Sequence, residues 1–263
     1  RPEHGGLADH QRTDGESIMK AWAERISEIA RLAGDEIMAV YHQDFSVFEK
    51  SDASPLTQAD LAAHHCIVAL LPGLDAGIPV LSEESADIDW QTRQQWTRYW
   101  LVDPLDGTRE FVKKNDEFTV NIALIENGEP VLGVVYAPAL DGLWVGGRGI
   151  GAQWQQDGKH GVARIQQASS PLRVAASRSH RDETTQAYLD KIGTVDTLGL
   201  GSSLKFCKIA TGEIDLYPRF GPTSEWDTAA AQAVLEAAGG GVFSLDGQPL
   251  RYNHKQSLLN PYF

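Results

Sequence analysis

The run Tyr99-Trp100-Leu101-Val102 is apolar throughout and leads straight into Asp103-Pro104-Leu105-Asp106-Gly107-Thr108. A continuous apolar run of this kind reads as a strand buried on both faces. Such a strand ending in two carboxylates is costly unless something positive meets those charges. The pattern recurs where Ile78–Leu81, a second short strand, runs out into Ser82-Glu83-Glu84. Asp227, behind Trp226 at the start of an Ala-rich helix, is a third acidic position. No Cys and no obvious His ligand accompanies these clusters, and all-oxygen sites suit hard divalent cations, above all Mg²⁺.

Each piece has a plainer reading alone. Asp-Pro-Leu-Asp-Gly is turn chemistry, Glu83-Glu84 reads as a solvated loop, and Asp227 as a helix cap. Asp60 can complete a capping-box-like pair with Thr57. Together the segments are harder to dismiss, because three separate coincidences would be needed. Asp103 and Asp106, three residues apart across a Pro-containing turn, can each reach a different ion, or one can bridge both. The Leu105 carbonyl between them adds another hard oxygen. Gly107 and Thr108 open a helix or turn whose free backbone N–H groups offer an anion site. Metal ligands beside a phosphate cradle are a layout for phosphate ester hydrolysis: ions neutralise phosphate oxygens, lower the pKa of a water and stabilise the leaving alkoxide.

Composition narrows the remaining classes. The chain has 263 residues, with 23 Lys and Arg against 36 Asp and Glu, a formal net charge of −13. That balance argues against nucleic-acid binding and against a basic face drawn to membranes, so local positive charge for an anionic substrate has to come from metal ions. No apolar run approaches the roughly 18–20 residues that cross a bilayer. Two cysteines, Cys66 and Cys207, form no framework or metal pattern and point to a reduced, cytoplasmic setting. Peripheral attachment to the inner face of the membrane and the oligomeric state stay open. Residues 1–16 are polar and lack the apolar centre of a signal peptide, and the absence of an initial Met is consistent with trimming. They are expected to form a flexible tail outside the fold.

From Ser17 the pattern turns helical, with Ile18, Trp22, Ile29, Ala33 and Ile37 near 3.6-residue spacing. Thr57 reads as the cap of a second helix, with Ala62, Cys66, Ala69 and Leu70 on one face until Pro72-Gly73. Phe118–Ile125 and Val131–Tyr136 flank Asn127-Gly128, a strong hairpin signal, and further antiparallel strands follow around Trp144. Beyond a polar linker near residues 155–161, Leu172–Ala176 and Ile214–Tyr217 read as strands. Asp182–Ile192, Gly201–Thr211 and Asp227–Ala238 read as helices, the last ended by three glycines. The expected organisation is a tail (1–16), an N-terminal α+β metal-binding domain (17–160) and a C-terminal α/β domain (161–263). His64 and His65 are adjacent on a helix and point in different directions, so they read as packing or surface residues.

Three segments, Glu83-Glu84-Ser85, Asp103-Pro104-Leu105-Asp106-Gly107-Thr108 and Trp226-Asp227-Thr228-Ala229-Ala230, closely resemble the signatures of the Mg²⁺-dependent, lithium-sensitive inositol monophosphatase superfamily. Tyr99–Leu140 and Gly201–Cys207 resemble its bacterial 3′(2′),5′-bisphosphate nucleotidase branch, and the likeness runs from about Ser17 to the end. It implies a layered αβαβα sandwich, an α+β or α/β fold, with the site between the two halves. It implies one Mg²⁺ on Glu83, Asp103 and the Leu105 carbonyl, a second on Asp103, Asp106 and Asp227, and room for a third, weaker ion at Glu83. Thr108, paired with Asp60 or Glu83, would orient and help deprotonate the attacking water. Glu83, Leu105, Asp106, Gly107, Thr108 and Asp227 would also touch the substrate.

Nucleotide contacts carry over as Ser177 and His180 in Ser177-Arg178-Ser179-His180, Gly201 and Lys205 near the adenosine phosphate, and Arg219 at a second phosphate. For Lys205 and Arg219 the alternative is an ordinary solvated cation. The expected partner is a small phosphorylated nucleotide. The expected reaction removes the 3′-phosphate of adenosine 3′,5′-bisphosphate, with phosphoadenylyl sulfate as a further substrate that would link the chain to sulfate assimilation. An inositol-monophosphate or fructose-bisphosphate phosphatase shares every acidic residue, and a noncatalytic Mg²⁺ or nucleotide sensor is the rival from another class.

Overall fold

Helix α1 (Gly6–Tyr41) opens the computed structural model, which describes residues 6–52, 55–177 and 182–263. Its buried stripe is Ala23, Ile26, Ile29, Ala30, Ala33 and Ile37, the spacing of one apolar helix face. Trp22 packs at the edge of that core. Ile18, expected on the same face, precedes the first buried position and is exposed. Residues 6–16, expected as a flexible tail, instead continue α1: they are polar but contain no Pro, so they extend a helix nucleated further on.

A short hairpin of β1 (Phe48–Glu49) and β2 (Pro55–Leu56) leads to α2 (Gln58–Leu70). Thr57 caps α2, and Asp60 completes a capping box. The face expected from Ala62, Cys66, Ala69 and Leu70 is rotated by one position: Ala59, Asp60, Ala63, His64 and Ile67 are buried. The box turns Asp60 inward, and this sets which residues follow it into the core. His64 is a satisfied buried histidine, its Nδ1 2.9 Å from Ser82 Oγ.

Seven strands then hydrogen-bond in chain order: β3 (Val80–Ser82), β4 (Arg98–Asp106), β5 (Thr119–Glu126), β6 (Glu129–Ala137), β7 (Gly142–Gly147), β8 (Gly151–Gln156) and β9 (Lys159–Val162). Short helices α3 (Trp90–Arg93) and α4 (Thr108–Val112) flank β4 in sequence. β3 and β4 are parallel, and the other neighbours are antiparallel. Asn127 and Gly128 take φ of 50° and 78°, as a type I′ hairpin requires. The sheet is covered on both faces. Trp100, Val102, Val120, Ile122 and Leu124 pack with α1 and α2, while Tyr99, Leu101, Ala123 and Ile125 pack on the opposite side. β9 carries this sheet two residues past the boundary expected at 160.

The remaining elements are β10 (Leu172–Ser177), α5 (Glu183–Ile192), β11 (Val195–Leu200), α6 (Leu204–Ala210) and α7 (Glu225–Ala237). β10 and β11 form a parallel pair, and α7 lies across β4–β7. The layered α+β class expected from the sequence is the one observed. Ile214–Tyr217, expected as a strand, makes only a single bridge, Leu216 to Val174. β11 was not anticipated, because its Val-Asp-Thr-Leu-Gly-Leu is largely exposed and lacks a buried period. α7 approaches β6 closely at Gly133, where an added Cβ would lie 2.3 Å from the Ala230 carbonyl oxygen. Gly133→Ala should therefore destabilise the protein by about 1–3 kcal/mol in urea unfolding. Gly73→Ala, which meets nothing within 4 Å, should be near neutral.

Candidate active site

In a regular strand Asp103 and Asp106 would point to opposite faces. Here the pairing of β4 with β5 slips between Asp103↔Asn121 and Asp106↔Thr119, so β4 carries one extra residue. Pro104, which has no N–H, sits in that bulge. The bulge restores the two side chains to one side. Asp227, third residue of α7, completes the group. One carboxylate oxygen each from Asp103, Asp106 and Asp227 lies within 4.8 Å of the others.

Other atoms of the cluster are individually anchored. Asp103 is in hydrogen-bond contact with both Glu83 and Asp227. Asp106 Oδ2 accepts from Ser203 N at 2.8 Å. Asp227 Oδ2 accepts from Ser224 N at 2.8 Å as a capping box. Glu83 stands in the 3₁₀ turn after β3, with Lys50 Nζ 3.4 Å away; that ammonium also reaches Glu84 at 2.7 Å. Burial, then repulsion from Glu83 and Asp106, drives the Asp103 carboxyl well above the carboxylate range. Asp106 is driven up by burial and Asp227, and burial lifts Glu83 to about 7. Buried, mutually repelling oxygens with only hard donors among them fit divalent cations of the Mg²⁺ type.

Asp60 is both cap and site residue. Its Oδ2 accepts from Thr57 N at 2.9 Å and Thr57 Oγ1 at 2.7 Å, and its Oδ1 accepts from Thr108 Oγ1 at 2.8 Å. Thr108 Oγ1 also lies 3.4 Å from the Leu105 carbonyl oxygen, and Gly107 supports the turn at φ 85°. Leu105, Gly107 and Thr108 line a cleft of about 230 Å³ with Glu83, Asp103, Asp106, Gly201, Lys205, Tyr217, Arg219 and Asp227.

On the far wall, Gly201 N donates to Glu117 Oε2 at 2.8 Å. A Cβ there would strike Glu110 Cγ at 2.6 Å, so glycine is required. Lys205 and Arg219 are only 3% and 7% exposed, which excludes the solvated-cation reading. Lys205 Nζ donates to the Leu200 carbonyl at 3.0 Å and lies over the Tyr217 ring; burial lowers it to about 8. Arg219 Nε is buried with no hydrogen-bond partner among the described residues. Ser177 ends β10 opposite Leu200, next to Gly201, and His180 lies outside the described residues. Sequence reasoning missed Lys50, Glu117 and Ser203. Lys50 belongs to none of the motifs singled out in the sequence, whereas Ser203 lies inside the quoted Gly201–Cys207 run.

The inositol monophosphatase family model matches residues 19–262. The chain belongs to this family. Within it, the 3′(2′),5′-bisphosphate nucleotidase CysQ of Escherichia coli K12 is 49% identical over 91% of this chain and 97% of its own. CysQ of Buchnera aphidicola is 44% identical over 94% of each chain. The crystal structure of CysQ from Bacteroides thetaiotaomicron is 41% identical, with a TM-score of 0.83 over 92% of this chain and 96% of that one. The chain thus resembles the CysQ branch of the inositol monophosphatase family, as its motifs implied. Among the described residues no helix is long and apolar enough to cross a membrane.

The carboxylate cluster predicts a pH signature. Glu83, lifted from 4.5 to about 7, favours folding while protonated; that contribution is full below its unfolded value and is lost as pH rises through about 7. After chelation of divalent cations, the melting temperature should fall across that window, and excess Mg²⁺ should remove the fall. Scanning fluorimetry with and without chelator measures it, and a flat chelated profile would contradict the crowding of unneutralised carboxylates.

Proposed function

We propose that this family member is a Mg²⁺-dependent phosphomonoesterase that removes the 3′-phosphate of adenosine 3′,5′-bisphosphate, giving AMP and phosphate. Phosphoadenylyl sulfate is a further substrate in this reading. The observation that carries it is the pairing, in one cleft, of an all-oxygen carboxylate cluster with two buried cations, Lys205 and Arg219. A simple monoester uses the first group. A substrate with a second phosphate uses both. The names of the CysQ relatives support the same substrate.

Glu83, Asp103 and the Leu105 carbonyl would hold one ion, and Asp103, Asp106 and Asp227 a second, with Glu83 free to touch a third. Bound there, divalent cations supply Lewis acidity and charge neutralisation for the ester phosphate. Thr108 has its hydroxyl proton committed to Asp60 Oδ1. Its lone pairs therefore accept a proton from the attacking water, while Asp60 takes charge of the hydroxyl's own proton. Ser203 N and Ser224 N hold Asp106 and Asp227 in place. Gly107, Gly201, Ser177 and His180 complete the substrate contacts, with Lys205 and Arg219 on the remote phosphate. The attack is direct, without a phosphoenzyme. In this reading the part up to β9 supplies most of the metal ligands, and the part after β9 supplies Lys205, Arg219 and most of the nucleotide contacts. Cys66 and Cys207 are unpaired, which supports a cytoplasmic setting.

Phosphate release from adenosine 3′,5′-bisphosphate, phosphoadenylyl sulfate, inositol 1-phosphate and fructose 1,6-bisphosphate, each with and without Mg²⁺, tests the reading. The nucleotides should have the highest kcat/KM, and Li⁺ should inhibit. Lys205→Met and Arg219→Met should raise KM for the bisphosphate by about 10-fold or more, with a small effect on a monoester. Faster turnover of inositol phosphate would overturn the nucleotide assignment, a trapped phosphoenzyme the mechanism, and no turnover at all the enzyme reading. Because Lys205 carries its charge only below about 8, kcat/KM for the nucleotide should decline above that pH. Lys205→Arg should move the decline upward.

A further inference from the structure

Beneath the carboxylates, three polar side chains with no solvent access close a ring. Asn121 Nδ2 donates to Thr119 Oγ1 at 2.9 Å, and Ser203 Oγ donates to Asn121 Oδ1 at 2.8 Å. Thr119 Oγ1 and Ser203 Oγ are 2.7 Å apart. Since the Ser203 proton is committed to Asn121, the Thr119 hydroxyl must donate to Ser203. The three bonds therefore run in one direction around the ring, each polarising the next. Asn121 Nδ2 also lies 3.3 Å from the Thr119 carbonyl oxygen, and both contacts need a donor at that position, which fixes the amide orientation. All three residues are at most 1% exposed. The Ser203 hydroxyl has neither a proton nor an open side left for a substrate.

The ring stands at the junction of the two walls of the cleft. Asn121 and Thr119 are the β5 partners of Asp103 and Asp106 across the bulge, while Ser203 follows the Gly201–Ser202 turn before α6. Ser203 N donates to Asp106 Oδ2, Gly201 N to Glu117 Oε2, and Ser202 holds a φ of 51°. Ser202 is only partly buried, and a residue other than glycine in that conformation needs support from its surroundings.

We propose that Thr119, Asn121 and Ser203 are positioning residues: the ring holds Asp106 in its cation-binding orientation and fastens the Gly201–Ser203 turn to β5, so that the carboxylates and the substrate-facing turn keep one spacing. The inference rests on the proposed cation-dependent chemistry but not on the identity of the substrate. Ring breakage moves the amide that anchors Asp106, so it weakens cation binding before any substrate is present.

Titration calorimetry of Mg²⁺ into the chelated, substrate-free protein tests this, alongside kcat, KM and melting temperature. Thr119→Val, close to isosteric, should weaken Mg²⁺ binding and lower kcat by about 10-fold or more, the scale seen when partners behind a metal ligand are removed. Thr119→Ser, which can still donate and accept, should recover most of both. Ser203→Ala serves if the valine variant does not fold, and should shift the same two readouts. A purely structural role would lower the melting temperature and leave the Mg²⁺ isotherm unmoved; that result, in a folded variant of either residue, overturns the proposal. If wild-type protein hydrolyses none of the nucleotides yet ring variants still lose Mg²⁺ affinity, the substrate assignment fails and the positioning role stands.

Discussion

Like charges gathered in a dry place repel, and this fold is organised around tolerating that repulsion at one point. Asp103 is 1% exposed, touches two other carboxylates and has Asp106 across the cluster. Such a group is tolerable only protonated, or around cations. The apolar parts of the chain supply the rigidity that keeps the oxygens from relaxing apart. β4 is clamped between β3 and β5, Trp100 and Val102 press on one side, and Tyr99 and Leu101 on the other. The bulge at Pro104 is the one break in that ladder.

Two of the acidic residues show how the carboxylates are aimed. Asp60 and Asp227 are both third residues of helices, and both close capping boxes, with Thr57 and Ser224. Capping occupies one oxygen with backbone N–H donation and leaves the other to the site: Asp60 Oδ1 receives Thr108, and Asp227 faces Asp103. The helix end offsets part of the negative charge through its dipole. Capping and site chemistry are therefore not rival explanations of these residues. Local helix initiation is what aims the functional oxygen.

That dual use explains what could be read from the sequence. The acidic strand ends and the Asn127-Gly128 hairpin follow from local pattern and stand in the structure as expected, while α7 begins two residues before the Asp227 start read from the sequence. The burial of α2 was misjudged by one position because apolar periodicity alone ignored the inward pull of the Asp60 box. The helical course of residues 6–16 escaped notice because nothing apolar marks it; it continues a helix stabilised elsewhere. β11 and the single bridge at Leu216 depend on pairing partners far away in the chain, which local propensity does not contain. Likewise, Lys50 beside Glu83 and Ser203 beneath Asp106 are tertiary facts with no spacing to betray them.

The cations complete the logic of an acidic protein that handles an anion. With a formal charge of −13, long-range attraction cannot gather a phosphorylated substrate, so selectivity has to arise at contact distance. Lys205 and Arg219 are suited to that because they are buried: Lys205 is held near 8 by desolvation, and Arg219 Nε has no partner among the described residues. Both groups are under-solvated before an anion arrives, and a bound phosphate would relieve that deficit. Binding energy released at a remote phosphate can then be used to orient the ester at the carboxylate wall, provided the two walls keep a fixed spacing. The Gly201–Ser203 turn, tied to β5 on one side and leading directly into Lys205 on the other, is the element through which that spacing is held.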